Sequence, residues 1–343
     1  MTTKTSISRI SYRRRPARLI KRAALIISVL ALALIAAIAY SFTTANDLMR
    51  QKPQALATFS SNIMPDYRLV SFASLDEQTM LSGWFFPAEG KAFSTVVLVH
   101  DQGKNRLQFG LDSPDFYRHL VEKGLNVLAF DQRNSGQSDG ELSGYGYAEW
   151  SDVLAAVRYA RKNAATKNVL LYGFGAGVSA SLIAWDQLPP AGIDKKDYPE
   201  NIRKLDFDQS YIIGLMLDSP AASPDDYIRV IYRRQGWLGN NLLQYTVPYA
   251  VRLSAGSIGK VNSTALLSRC QLPVFLAYQT QDTWIGSDSI QPLVDERQRL
   301  NPDLTVVYAC DKPGYTDGFL LDRTGYLAAL DGFLARFFTQ SGE

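Results

Sequence analysis

The chain has 343 residues, of which 46% are hydrophobic and 11% aromatic, and that much apolar material excludes a disordered or fibrous protein. Net charge is +3, but eight bases lie within residues 4–22, before any acid, and the remainder carries 28 bases against 33 acids. The basic balance belongs to a short N-terminal arm, so it argues against a nucleic-acid surface, and two cysteines with two histidines offer no metal-ligand cluster.

The arm spans residues 1–22. Segment 23–42, A-A-L-I-I-S-V-L-A-L-A-L-I-A-A-I-A-Y-S-F, is uncharged and long enough to cross a bilayer core as a helix. Positive charge before it and none close after it predicts a cytoplasmic arm and a signal-anchor in the inner (cytoplasmic) membrane, with a periplasmic or extracellular domain. A cleaved signal peptide is the competing reading, because Ala37-Ile38-Ala39 offers an A-x-A site. The arm also suits anionic lipid, although setting topology already accounts for it. Residues 43–65 are polar with scattered apolar positions and read as a juxtamembrane stalk or helix leading into a domain over 66–343.

Segments 67–73 and 80–87 alternate apolar and polar residues and predict an antiparallel edge hairpin. Residues 95–99 form a β-branched and aliphatic run, a strand buried on both faces, which ends in His100-Asp101-Gln102-Gly103. A helix over 114–123 and a strand over 126–130 follow, then an amphipathic helix over 147–162. Residues 188–210 are rich in proline and charge and read as a surface insertion. A strand over 212–217 ends in Asp218-Ser219-Pro220. Residues 221–269 lack strand alternation and predict a helical cap. Strands over 273–278 and 304–309 and a helix over 326–338 complete the series. Strand–helix alternation at this spacing means a doubly wound, mostly parallel α/β sheet. Cys270 precedes one parallel strand and Cys310 follows the next, so they lie at opposite sheet ends and stay free thiols.

The segment that organises the domain is Asn168–Trp185. Its apolar run over 169–172 meets Gly173-Phe174-Gly175-Ala176-Gly177, and a helix of small residues follows. The frame is that of a nucleophile elbow, G-x-S-x-G, with glycine where serine belongs. A dinucleotide loop is the competing reading, but G-x-G-x-x-G fails at Val178.

Five blocks in order resemble the α/β-hydrolase superfamily, specifically its membrane-anchored bacterial branch. They are V-V-L-V-H-D-Q-G-K-N, N-V-L-A-F-D-Q-R-N-S-G-Q-S-D-G, G-F-G-A-G, V-F-L-A-Y-Q-T-Q-D and D-K-P-G-Y-T-D-G-F. The similarity covers residues 67–338. It implies a triad ordered Ser…Asp/Glu…His, whose positions here are Gly175, Asp282 and Tyr315. Only Asp282 matches. His100 and His119 are the only histidines, and neither follows the last strand. A serine hydroxyl needs an imidazole base, and a tyrosine with a pKa near 10 is a poor substitute. The backbone amides of Gln102 and Ala176 fill the family's oxyanion-hole positions and suit a carbonyl or carboxylate ligand, with His100 and Asp101 beside them. Asp101 replaces the family's glycine, and pointing inward it opposes an anion.

Other groups at the site have structural explanations. Ser179 and Ser181 lie along the helix after the elbow and suit packing. Asp131, Asp218 and Asp282 end strands, where ligand chemistry concentrates, yet each also suits loop capping. Two classes of function follow. One is a pseudo-hydrolase without cofactor that binds a protein partner or small ligand through the old cleft. Tyr227, Tyr232, Trp237, Tyr245 and Tyr249, with Arg229, Arg233 and Arg234, then form a partner surface or close the cleft as core. The alternative is a hydrolase of esters, lipids or peptides with non-standard catalytic residues.

Overall fold

The computed structural model describes residues 17–52, 54–59, 63–257 and 259–338. Most of the basic arm lies outside them. Helix α1 runs Ala17–Met49 without glycine or proline, and it is long and apolar enough to cross a membrane. It continues well past residue 42. Its last turns present Ser41, Ala45, Leu48 and Met49 to the domain, where all four are buried. The expected stalk therefore begins as a helix docked on the domain, because one apolar face continues beyond the uncharged segment.

The hairpin is β1 (Arg68–Ala73) and β2 (Met80–Phe86), antiparallel in register Arg68 to Phe85 through Ala73 to Met80. Next come β3 (Ser94–Val99), α2 (Ser113–Glu122), β4 (Leu125–Phe130), α3 (Trp150–Asn163), β5 (Val169–Phe174) and α4 (Ala176–Gln187). A short α5 (Glu200–Arg203) precedes β6 (Ile212–Asp218). The cap holds α6 (Pro224–Arg233), α7 (Gly236–Leu238), a π-helical turn over Gly239–Leu243, α8 (Gln244–Ser254) and α9 (Ser263–Arg269). The chain closes with β7 (Val274–Gln279), α10 (Ser287–Leu300), β8 (Thr305–Cys310), α11 (Gly318–Leu321) and α12 (Arg323–Phe337).

The sheet has eight strands in the order β1-β2-β4-β3-β5-β6-β7-β8, and every pairing from β4 through β8 is parallel. Every residue of β3, β4, β5 and β7 is buried, as continuous aliphatic runs require when helices cover both faces. One apolar layer joins the sheet to α2 and α12 through Phe116, Leu120, Tyr326, Leu330 and Phe333. The other joins it to α3, α4, α10, the cap and the end of α1. All sequence-expected strands are present. The insertion over 188–210 is less superficial than its composition suggests, because Ile202, Leu205 and Phe207 are buried. Helix α10 is absent from the sequence reading: Pro292 lies inside it and interrupts a polar pattern. Both cysteines are free and buried.

Buried Arg297 on α10 donates to the carbonyls of Leu267, Cys270 and Leu272 and to Thr305 Oγ1. It ties the entries of β7 and β8 to the end of the cap. Leu48 tests the docking of α1. It is 3% exposed, so Leu48→Ala removes a filled apolar contact and should lower stability by about 2–4 kcal/mol. Chemical unfolding of the full chain in detergent measures the loss, and an unchanged midpoint would detach α1 from the domain core.

Candidate functional site

The site forms where β3, β5, β6 and β7 end on the same sheet edge. Between β5 and α4, Gly175 adopts φ 51° and ψ −120°, a conformation that L side chains rarely occupy. Its N–H donates to the Asp218 carbonyl at 2.9 Å, which fixes the turn. Gly177 permits the start of α4 to press on the end of β3: a Cβ there would overlap the carbonyl of Val99. The strand–turn–helix geometry of an elbow is complete, without a side chain at its apex.

The backbone amides of Gln102 and Ala176, expected to bind a ligand, already have an acceptor. Asp101 Oδ1 accepts from the Gln102 N–H at 2.7 Å and from the Ala176 N–H at 2.7 Å. The Asp101 N–H donates to Gln108 Oε1 at 2.9 Å, which holds the residue in place. The Tyr315 hydroxyl donates to the same carboxylate. Burial pushes the Asp101 carboxyl up to about 6, against the lowering effect of these donors. Burial also raises the Tyr315 hydroxyl, so it stays neutral and donates. A Cβ on Gly175 would overlap both Asp101 Oδ1 and the Tyr315 hydroxyl. The ligand expected at Gln102 and Ala176 thus has an internal rival, and Asp101 points inward.

The residues expected at triad positions do not meet: Gly175 has no side chain, and Asp282 and Tyr315 face different partners. Asp282 Oδ1 accepts from the N–H groups of Trp284, Ile285 and Gly286 at 2.8, 2.6 and 3.0 Å. Its Oδ2 is buried without a hydrogen-bond partner among the described residues. An acid that orients an imidazole needs that second oxygen. Tyr315 instead aims its hydroxyl at Asp101, with its ring 6.4 Å from that of Trp284.

His100 has no free ring nitrogen for a ligand. Nδ1 lies 2.8 Å from the Asp101 carbonyl, and Nε2 accepts from the Gln132 N–H at 3.0 Å. Burial lowers its pKa and keeps it neutral. It braces the loop that carries Asp101. His119 on α2 pairs with Asp331 on α12, away from the elbow.

Other sequence candidates are also engaged in structure. Ser181 Oγ donates to the Gly177 carbonyl, and Ser179 Oγ is buried inside the packing of α4. Asp131 holds Arg106 in a buried pair at 2.6 Å and accepts the Arg106 and Gln137 N–H groups. Asp218 accepts from the Tyr326 hydroxyl at 2.7 Å and from Ser219 Oγ at 3.0 Å. Burial pushes its carboxyl up to about 7. The three strand-end aspartates cap three separate networks.

Tyr227 and Tyr232 are buried, and the Tyr227 hydroxyl donates to the Ser219 carbonyl while accepting the Ala221 N–H. They are core residues, which separates them from exposed Trp237, Tyr245 and Tyr249. The space beside Asp101, Gln102, Glu149 and Ala176 is about 10 Å³, room for about one water. A hollow of about 560 Å³ lies at the opposite sheet edge, between Trp185, Tyr198 and Leu272.

The strand order, the tight turn at the end of β5 and the loop after β7 can be compared with solved structures. An esterase of Pyrococcus furiosus superposes with a TM-score of 0.62 at 19% identity, over 83% of this chain and 99% of its own. An α/β hydrolase of a Penicillium species gives 0.54 at 17%, over 80% and 99%. This is the α/β-hydrolase fold. An esterase of a Rhodococcus species gives 0.50 at 16% identity, over 78% of this chain and 99% of its own. No protein-family model and no curated protein matches the sequence. Sequence reasoning placed Asp101 beside the hole but missed Gln108, because its hydrogen bond to the Asp101 backbone spans a loop without a periodic pattern.

The folded-state pKa of Asp101 lies above its value of 3.8 in the unfolded chain, so folding favours the protonated form. Its contribution to stability is full below pH ~4 and is lost as pH rises through about 6. Asp101→Asn keeps the carbonyl acceptor and cannot ionise. It should stabilise the protein at pH 7.5 by on the order of 2 kcal/mol, and the gain should vanish near pH 4. Denaturant unfolding at the two pH values decides this, and a pH-independent difference would count against it.

Proposed function

We propose that the protein is a membrane-anchored pseudo-hydrolase: α1 holds it in the membrane, and the domain acts by binding and not by turnover. The observation that carries this reading is Asp101 Oδ1 between the Gln102 and Ala176 N–H groups. In the family mechanism those donors stabilise an oxyanion only when a nucleophile stands at the elbow and an imidazole serves it. Gly175 carries no nucleophile, Tyr315 stands at the base position, and neither histidine reaches it. The closed space beside Ala176 further supports a role without substrate entry. A protein partner therefore engages the outer surface, and a small ligand at the hole must first displace Asp101. The bias of positive charge toward residues 4–22 supports a cytoplasmic N-terminus in the inner membrane and a domain on the far side.

The full chain in detergent should show no turnover of short- or long-chain p-nitrophenyl esters and no labelling by a fluorophosphonate. Labelling that survives Ser179→Ala and Ser181→Ala would establish a nucleophile elsewhere and sink the proposal. Restoration provides the converse test. Gly175→Ser alone should destabilise the fold by about 1–3 kcal/mol and remain unlabelled, because Asp101 and Tyr315 occupy its space. Combining Asp101→Gly, Gly175→Ser and Tyr315→His vacates the hole and should create probe labelling. Labelling of Gly175→Ser by itself would show that Asp101 does not block the site.

A further inference from the structure

An exposed aromatic face lies on the cap, beside the point where α1 leaves its apolar span. Trp237 is 77% exposed, Tyr245 61% and Tyr249 49%. Trp237, Asn241, Tyr245 and Tyr249 follow one another at intervals of four, so they line one side of α7, the π-helical turn and α8. Leu238 extends the same surface. Trp84 and Trp185 are buried and Trp150 and Trp284 half-buried, so Trp237 is the one fully exposed tryptophan of five.

This face is joined to α1. Among the described side chains of α1, the shielded ones are Ala37, Ser41, Thr44, Ala45, Leu48 and Met49. Helix α8 packs along α1, and Ser41 Oγ donates to Thr246 Oγ1 at 2.7 Å. Thr246 adjoins Tyr245. If the hydrocarbon core begins near residue 23, a rise of about 1.5 Å per residue places Ser41 about 27 Å on, near the far boundary of a core about 30 Å thick. Ala37 lies roughly 6 Å deeper on the same rise. The aromatic face therefore starts at the depth where tryptophan and tyrosine concentrate in membrane proteins.

Charge agrees with this placement. Residues 227–281 contain Arg229, Arg233, Arg234, Arg252, Lys260 and Arg269 and no acid. Arg229, Arg252 and Arg269 pair with Asp226, Asp225 and Asp186. Arg233 and Arg234, just ahead of Trp237, have no carboxylate partner among the described residues. Arg233 Nε donates to Gln244, and Arg234 donates to the carbonyls of Thr283 and Trp284.

We propose that the Trp237–Tyr245–Tyr249 face docks into the headgroup–acyl boundary of the leaflet from which α1 emerges, with Arg233 and Arg234 on anionic headgroups. This rests on the reading of α1 as a membrane span. The cap then lies on the bilayer, and the domain has one fixed orientation above it.

The test uses the full chain in vesicles of phosphatidylethanolamine and phosphatidylglycerol, with and without dibrominated acyl chains as a fluorescence quencher. Brominated lipid should reduce wild-type tryptophan emission, and Trp237→Phe should abolish most of that reduction. Replacing phosphatidylglycerol by phosphatidylcholine, or introducing Arg233→Glu with Arg234→Glu, should weaken the quenching. Alkaline carbonate extraction of the same vesicles tests the span separately. A chain that resists extraction while Trp237 is not quenched would overturn docking and leave the span standing. Release of the chain by carbonate would remove both. Loss of quenching in nanodiscs that hold two copies, with quenching in those that hold one, would assign the face to a second copy of the chain.

Discussion

The site depends on one carboxylate oxygen held by two backbone amides. The Gln102 and Ala176 N–H groups converge on a point at the N-terminus of α4, where the helix dipole also favours negative charge. A convergent pair of buried donors left without an acceptor is costly. Asp101 supplies the acceptor from within the chain. Its own burial cost shows in its raised pKa, and the Tyr315 hydroxyl offsets part of it. Tyr145 and Tyr227 surround the same charge with their hydroxyl pKa values pushed upward by burial, so the environment remains neutral and dry. Two non-glycine residues near this charge, Tyr145 and Ser219, hold φ of 55° and 56°, conformations tolerated only where the surroundings fix them.

Gly175, Asp101 and Tyr315 therefore fit one another as a single spatial arrangement. Removing the Cβ at Gly175 opens the volume into which Asp101 Oδ1 and the Tyr315 hydroxyl converge. A tyrosine at position 315 reaches that volume and leaves Asp282 Oδ2 without a partner. Asp282 caps the loop over 284–286 through its Oδ1. A serine at 175 thus competes for space with two side chains that fit each other.

The fold was legible because its signals are long and local. Runs such as 95–99 and 169–172 have no solution but a two-face-buried strand, and the glycines over 173–177 fix the elbow. Helix α10 was lost because Pro292 and a polar surface hide an apolar stripe of Ile290, Leu293 and Val294. The vacancy at Gly175 and the absence of a late histidine were visible as letters. The acceptor between the Gln102 and Ala176 amides was not. Whether Asp101 points in depends on Gln108 and Tyr315, which meet it only after the sheet has assembled. The same limit applies to the cap: composition grouped five aromatics, and packing divided them into the core residues Tyr227 and Tyr232 and an outer face.

Helix α1 and the closed site belong to one packed unit. Helix α1 packs on α8, α8 packs on α6, and α6 carries Tyr227, whose hydroxyl bonds the Ser219 carbonyl and the Ala221 N–H at the end of β6. Ser219 Oγ in turn accepts the Thr316 N–H, next to Tyr315. Lifting the cap to expose Asp101 therefore requires breaking apolar contacts at Ala45, Leu48 and Met49 as well as the buried hydrogen bonds of Tyr227. Each buried contact of this kind is worth on the order of 1–3 kcal/mol, and they must be lost together because the helices are rigid. A cap bound on one side to a membrane-length helix and on the other to the loop of Tyr315 is a poor hinge. The helix that is long enough to cross a membrane is thus also part of what keeps the space beside Asp101 closed.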